Sequence, residues 1–464
     1  MNYYNPFNTS IDDLTTNDLV ALRTVTEGWY IEYKQELSKS EAIAKSISAL
    51  ANSYGGWVFY GIAEESKDNS VAGEFHGIDR CDVDAGLQRI RQAVANSLSP
   101  ACHYEAKALY GPNKNINLGA DKAIICVAVP QSIEAPHIHK KGSIYRRVAD
   151  GSEPVAENDR YMIEKMFDRS KAVAEEYKEW IADDPEFSEG ETGNPHVRIM
   201  ISSNPWKMPR PQTYLNIEKA RTALGADGNV HRYLPFDSFY STSRGVVARQ
   251  CAGYDPTSSR PTWNIYYSLS GDISIPLKLI KRHGMQFQYI FSAYKFGEKI
   301  ATEFEKYKLI EANFVDLNQL FHIVTGIVQS QRALQKQAGW PCEFHVKIKI
   351  YNAWHTIPFL DTKFYVEQIQ KNGIPVCLTD ECLNPPGTRP DTFLRVKDHP
   401  NIDDEQVVAA LQAFSCFTPI AEAFGIPLKE IIVSQDDNDS TEDSVYQSLI
   451  NAGVHASSLI NWQD

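Results

Sequence analysis

The stretch that most constrains this chain is Asn52-Ser53-Tyr54-Gly55-Gly56, which stands between a helical repeat and an unbroken apolar run. Upstream, Ile43, Ile47 and Leu50 recur at helical spacing within residues 40–51, and Glu41 near the start suits the positive end of a helix dipole. An amide, a small residue and two glycines tolerate positive φ, so the helix ends there and the chain reverses tightly. Downstream, Trp57-Val58-Phe59-Tyr60-Gly61-Ile62 reads as a buried strand that runs out into Ala63-Glu64-Glu65. Ahead of the helix, Trp29, Ile31 and Tyr33 alternate with Tyr30, Glu32 and Lys34, the period of a half-buried strand. On that reading Glu32, Lys34 and Glu36 project from one face, with Glu27 just upstream. The order is acidic strand, helix, glycine turn, strand, acid.

Carboxylates beside an ammonium are what metal-assisted phosphodiester cleavage needs: the acids hold a divalent cation and the lysine offsets charge on the phosphate. The same residues also describe an exposed strand carrying ordinary ion pairs. The pattern alone favours that plainer reading.

Five pieces in order resemble the Schlafen-type AlbA_2 domain, also called divergent AAA-4. They are Glu27; Glu32-Tyr33-Lys34; Ala51-Asn52-Ser53-Tyr54-Gly55-Gly56; Gly61-Ile62-Ala63-Glu64; and a later run. That run takes in Pro100, the apolar strand 124–129, Pro136, and Ile144-Tyr145-Arg146-Arg147 followed by Gly151-Ser152. The resemblance covers about the first third of the chain. It implies a nucleic-acid-binding domain and, in the nuclease branch of the family, a three-acid site that cuts tRNA and rRNA. By motif position Glu27, Glu32 and Glu64 are then the catalytic acids and the ligands of Mg²⁺ or Mn²⁺, and Lys34 stabilises charge on the phosphate. The third acid is usually Asp in the family; Glu64 is one methylene longer, and Glu65 and Asp68 lie close enough in sequence to substitute. Other relatives with the same glutamates and lysine are described as DNA-binding or regulatory proteins.

Two functions follow from the resemblance. One is a metal-dependent endoribonuclease acting on structured RNA such as tRNA, in phage defence or a stress response. The alternative is a noncatalytic DNA-binding transcriptional regulator. Animal Schlafens set two lobes of this domain around a basic groove, so a single-lobe chain implies a homodimer.

Charge narrows where a polynucleotide could bind. The 464 residues carry a net charge of −13, which opposes diffuse phosphate binding and requires a local patch. Candidates are Lys140 and Lys141, beside His137 and His139, running into Arg146 and Arg147 on a hairpin with Gly142 in its loop. Arg146 and Arg147 point to opposite faces of their strand, so only one can line a groove. His137-x-His139 lacks a third ligand and reads as a surface pair rather than a metal site.

The organisation is α+β throughout. Residues 1–180 form the first domain, with helices at 84–98 and 157–180 and a strand at 104–110. Residues 181–195 read as a linker, because Asp183 to Pro195 is acidic, rich in Gly and Pro, and aperiodic. Residues 196–433 form a second α+β domain of unrecognised type, with a sensing or dimerisation role. Its strands are expected at 197–202, 262–268 and 345–351, and its helices at 296–307, 315–337 and 404–423, the last kinked at Pro419. An acidic tail at 434–464 reads as disordered except for a short docking helix at 445–450. A helix-turn-helix over 410–432 fails because its second helix, 427–432, is too short. Trp206, Trp263, Tyr266, Tyr267 and Trp354 are assigned to the core, and Pro205-Trp206-Lys207-Met208-Pro209-Arg210-Pro211 to a rigid surface loop.

Other chemistries find little support. Cys342-x-x-His345 with Cys377 and Cys382 could supply zinc ligands, but the strand they lead into needs no metal to explain it. There is no Gly-x4-Gly-Lys-Ser/Thr and hence no ATP site, and no Gly-x-Ser-x-Gly elbow. The 8 cysteines sit mostly in apolar runs, as reduced cytosolic thiols do. Without a signal-peptide pattern or a membrane-spanning apolar run, the expected setting is cytoplasmic, away from membranes.

Overall fold

The computed structural model describes residues 4–7, 9, 11–66, 69–148, 153–185, 193–203, 215–225, 234, 236–251, 253–283, 286–307, 309, 311–399, 401–435 and 445–459. Several expectations fall outside them: Asp68, Gly151-Ser152, the centre of the 181–195 linker, the 205–211 loop with Trp206, and residues 436–444 and 460–464 of the acidic tail. The chain divides into two units, one ending at Trp180 and the other beginning at Ile181. Both are α+β.

Up to residue 182 the chain runs β1 (Ile31–Lys34), α1 (Ser40–Asn52), β2 (Gly56–Tyr60), β3 (Ile78–Asp79), α2 (Val83–Ser97), β4 (Leu98–Ser99), β5 (Glu105–Tyr110), β6 (Lys122–Val129), β7 (Ile138–His139), β8 (Ser143–Arg146), β9 (Val155–Ala156) and α3 (Arg160–Ala182). Because α1 carries the chain back, β1 and β2 pair in parallel, with Glu32 opposite Val58 and Lys34 opposite Tyr60. β6 pairs antiparallel with β2, β3 and β5. A second small sheet runs β4-β7-β8-β9.

The mixed sheet is covered on both faces. Ile31, Tyr33, Trp57, Phe59, Ile124 and Cys126 pack with Phe7, Ile11, Leu14, Leu19 and Leu22 of the N-terminal segment. Val58, Tyr60, Ile125 and Val127 pack with Ile43, Ile47 and Leu50 of α1 and Ile90 and Val94 of α2. Each large apolar side chain so buried contributes roughly 2 kcal/mol of transfer free energy. The half-buried strand expected from the alternation is therefore a covered one: Ile31, Glu32 and Tyr33 are all buried, and only Lys34 is partly exposed. Glu36 lies beyond the strand, in solvent.

The glycine turn closes tightly. Gly55 and Gly56 take φ of +75° and +145°, and a Cβ on Gly56 would stand 2.2 Å from the Tyr30 carbonyl oxygen. No side chain fits there.

In the second unit, one antiparallel sheet has the spatial order Ser238–Ser241, Gly245–Arg249, Thr262–Tyr266, Gly271–Pro276, His196–Ser202, Phe344–Tyr351, Cys382–Asn384, with Leu394–Val396 also on Phe344–Tyr351. Helix Leu317–Gln337 starts two residues later than the apolar pattern suggests, because Val315 closes strand Glu311–Asp316 and Asp316 accepts the Asn318 N–H as a cap. The Thr262 strand ends at Tyr266, before Leu269 turns with φ +57°. Helix Glu405–Ala423 runs on through Pro419. The docking segment is longer than expected, a helix over Val445–Ser458 packed against Leu317–Gln337. After Glu405–Ala423 comes an eight-residue helix, Leu428–Gln435. Trp263 is core as expected, whereas Tyr267 and Trp354 are exposed. No helix among the described residues is long and apolar enough to cross a membrane.

Candidate functional site

Glu32 comes to its place through the sheet. In register with Val58, it points under α1, and there its carboxylate is saturated. Ser46 Oγ donates to Oε1 at 2.7 Å, Lys34 Nζ lies 3.2 Å from the same oxygen, and Arg147 Nη1 donates to Oε2 at 3.2 Å. Arg147 is fully buried: its Nε and Nη2 donate to the Gly28 carbonyl at 2.9 and 2.6 Å, and Nη2 also to the Ile31 carbonyl at 3.2 Å. One guanidinium thereby ties β8 to the start of β1. Ser46 signals this role in the sequence, as a hydroxyl interrupting the apolar stripe of α1 between Ile43 and Leu50.

Glu27 is held differently. Its N–H donates to the Ser70 carbonyl at 2.8 Å, while Thr26 bridges Val71 and Glu64 bridges Ala72. The segment 70–72 thus brings Glu27 and Glu64, far apart in sequence, side by side. Neither Glu27 carboxyl oxygen accepts from an N–H or hydroxyl donor, although both are buried, and the group's partner is the Glu64 carboxyl. Arg147 Nη2 stands 3.9 Å off, beyond hydrogen-bond reach. Burial first, and the Glu64 carboxyl second, push the Glu27 pKa up to about 9. Burial would by itself lower the Lys34 pKa, but Glu32 and Glu27 together raise it above its ordinary value.

Glu27, Lys34 and Glu64 are therefore brought together, and Glu32 is present but engaged. Among the described residues no three His, Cys, Asp or Glu side chains converge to hold a metal. Glu65 is exposed and accepts from Asn69 at 2.5 Å.

The basic stretch does not form the expected groove wall. Lys140 and Lys141 both pair with Glu41, at 3.2 and 2.7 Å, and those contacts hold the Glu41 carboxyl down at about 2. Arg146 pairs with Glu157. Arg147, read from sequence as a phosphate contact, is a buried clamp instead, because the sheet leaves Glu32 in need of a counter-charge. His137 and His139, expected at the surface, are both buried; His137 Nδ1 lies 2.8 Å from the Pro100 carbonyl oxygen, and burial lowers the pKa of each ring.

These elements carry a known signature. The Schlafen AlbA_2 family model matches residues 27–156, from Glu27 through β9. The first unit holds a Schlafen AlbA_2 domain. Its family suggests nucleic-acid binding, and the AlbA_2 match contains Glu27, Glu32, Lys34, Glu64 and Arg147. No curated protein matches the chain. Among solved structures, the DIP2311 protein from Corynebacterium diphtheriae is similar over 56% of this chain and 68% of that one, at 10% identity and a TM-score of 0.22. That likeness is too slight to carry an argument.

Proposed function

We propose that the AlbA_2 domain binds nucleic acid and cuts it with a divalent cation held by Glu27 and Glu64. The observation that carries this reading is the Glu27 carboxyl: buried, raised to about 9, and hydrogen-bonded to a second acid rather than to a cationic or N–H donor. Glu32 is given cationic and hydroxyl partners, whereas Glu27 is set against another acid, an arrangement that a divalent cation would complete. Two carboxylates suit Mg²⁺ or Mn²⁺, which keep several waters and take further ligands from a phosphate. A cation there would polarise the phosphodiester and supply a hydroxide nucleophile. Lys34, at the exposed end of β1, offsets charge on the phosphate. Glu32 is a positioning residue in this scheme, holding Lys34 and Arg147 in place. Structured RNA such as tRNA is the proposed substrate, in phage defence or a stress response, and a homodimer would supply the second lobe of a cradle; a monomeric mass in solution at micromolar concentration removes that element alone.

One observation favours the noncatalytic DNA-binding reading: both Glu32 oxygens are already used. A single experiment separates the two. The full chain is incubated with total tRNA, and separately with single- and double-stranded DNA, in Mg²⁺, Mn²⁺ or EDTA, beside Glu27→Gln. Discrete RNA fragments that need metal and vanish in the variant support the nuclease. Cleavage that survives EDTA or the variant sinks the metal site, and intact nucleic acid with an EDTA-insensitive gel shift leaves the regulator.

A further inference from the structure

The turn that ends α1 is held on every side, yet the side chain it carries points into water. Asn52 Nδ2 donates to the His137 and Tyr145 carbonyls at 3.0 Å each, and its Oδ1 accepts the His137 N–H at 2.7 Å. Ser53 Oγ accepts the Arg147 N–H at 2.9 Å, and the Ser53 carbonyl accepts from Gln131 Nε2 at 2.8 Å and Arg169 Nη1 at 3.0 Å. Gly55 N–H closes back onto the Leu50 carbonyl at 2.9 Å, and Gly56 lies against the Tyr30 backbone. Between these fixed points Tyr54 is 48% exposed.

Tyr54 has aromatic company. Its ring lies 5.5 Å from Trp29, edge to face at 74°, and 6.2 Å from Tyr30; Tyr30 in turn stacks on Tyr4 at 5.0 Å. On α3, Lys165 is within electrostatic reach of Tyr54 and sits 4.5 Å from the ring of Tyr161, which is 60% exposed. Lys165 is itself exposed, and no acid pairs with it among the described residues, unlike Lys140 and Lys141. Trp29 is two residues from Glu27.

We propose that Trp29, Tyr54 and Tyr161, with Lys165, form a stacking platform for the unpaired bases of a single-stranded polynucleotide. Rigid backbone under an exposed ring lowers the ordering cost of stacking. Every base offers a π-face, and a cation among the rings meets the strand's phosphates. A duplex hides those faces, so the platform selects unpaired segments, including the loops of a folded RNA. The inference rests on the nucleic-acid-binding reading and names its substrate class.

The test uses the full chain in EDTA, so that binding is measured without cleavage. Fluorescence anisotropy compares a labelled mixed-sequence single strand, as RNA and as DNA, with the matching duplex. The platform predicts preference for the single strand, an affinity loss of about tenfold in Tyr54→Ala, and near-complete retention in Tyr54→Phe, which keeps the ring. It also predicts quenching of tryptophan emission on binding, lost in Trp29→Phe. RNA binding alone, or both strands binding, each supports it and sets the sugar preference. Equal affinity of Tyr54→Ala for the single strand, or preference for the duplex, overturns it; so does a Tyr54 surface that captures only protein. If the metal-dependent cut fails but the Tyr54 effect stands, the platform survives and the nuclease reading falls.

Discussion

Arg332 and Glu27 are both ionisable groups withdrawn from water, and their surroundings treat them oppositely. In the second unit, Arg332 Nε and Nη2 donate to the two oxygens of Glu405 at 2.6 and 3.0 Å, and Nη1 to Asp398 at 2.7 Å and Gln412 at 2.9 Å. Burial works against its charge, yet the Glu405 and Asp398 contacts hold its pKa above the ordinary value. In the first unit, Glu27 has the Glu64 carboxyl as its partner, and burial, with that contact, drives it toward the neutral form. Glu32, a few residues away, is satisfied in the manner of Arg332. A buried charge with all its partners holds a fold together. One set against another acid has no cation within hydrogen-bond reach to hold its charge, and burial keeps it neutral.

The sharpest test of that contrast is Glu32→Ala. It strands the fully buried Arg147, and the expected loss is about 4 kcal/mol of unfolding free energy, read by denaturant titration. Lost cleavage in that variant would therefore report folding as much as chemistry; unchanged stability would break the comparison. Arg332→Ala comes next, at about 3 kcal/mol, reduced because Glu405 is half exposed and regains water. It should leave nucleic-acid affinity untouched.

Glu27 should behave in the opposite sense. Its folded pKa of about 9 stands above the ordinary 4.5, so between those values the native state holds a proton that the unfolded chain has released. Stability is thus lost as pH rises through that window, levelling off above about pH 9. Thermal unfolding from pH 5 to 9 should show the decline in the native protein and a flatter profile in Glu27→Gln. Adding Mg²⁺ should recover stability more at pH 8 than at pH 6, since binding needs the carboxylate, and should do nothing for the variant. A parallel pH profile in the two proteins would mean that Glu27 is an ordinary acid. The smallest effect belongs to Lys141→Ala: its pair with Glu41 is open to water, and neither the unfolding midpoint nor the affinity for nucleic acid should move measurably.

How much was legible beforehand differs from element to element. The helix at 40–52 and the strand at 56–60 follow from local signals, helical spacing, paired glycines and a β-forming apolar run. The family likeness was legible for the same reason, as a fixed order of short local motifs. Covering of the sheet by residues 7–22 was not legible, because that segment has no regular period and its contacts are long-range. Once both faces are covered, strand alternation no longer separates core from solvent. Glu32 looked exposed and is buried, and Arg147 looked like a phosphate contact and is a clamp. The lysines at 140 and 141 were visible as charges, but their neutralising acid, Glu41, lies on another element.

By itself, then, the sequence determined not the two-residue strands β3, β4, β7 and β9 but the longer helices and strands of the first unit, their order, and the presence of acids beside a lysine. Those depend on interactions within a few residues, where propensity and periodicity act. Which acid is saturated by cationic and hydroxyl partners and which is set against another acid was decided only in three dimensions. Segment 70–72 places Glu64 against Glu27, and β8 delivers Arg147 to Glu32. Burial and pairing between groups distant in the chain set the state of a carboxylate, and neither is written in its neighbours.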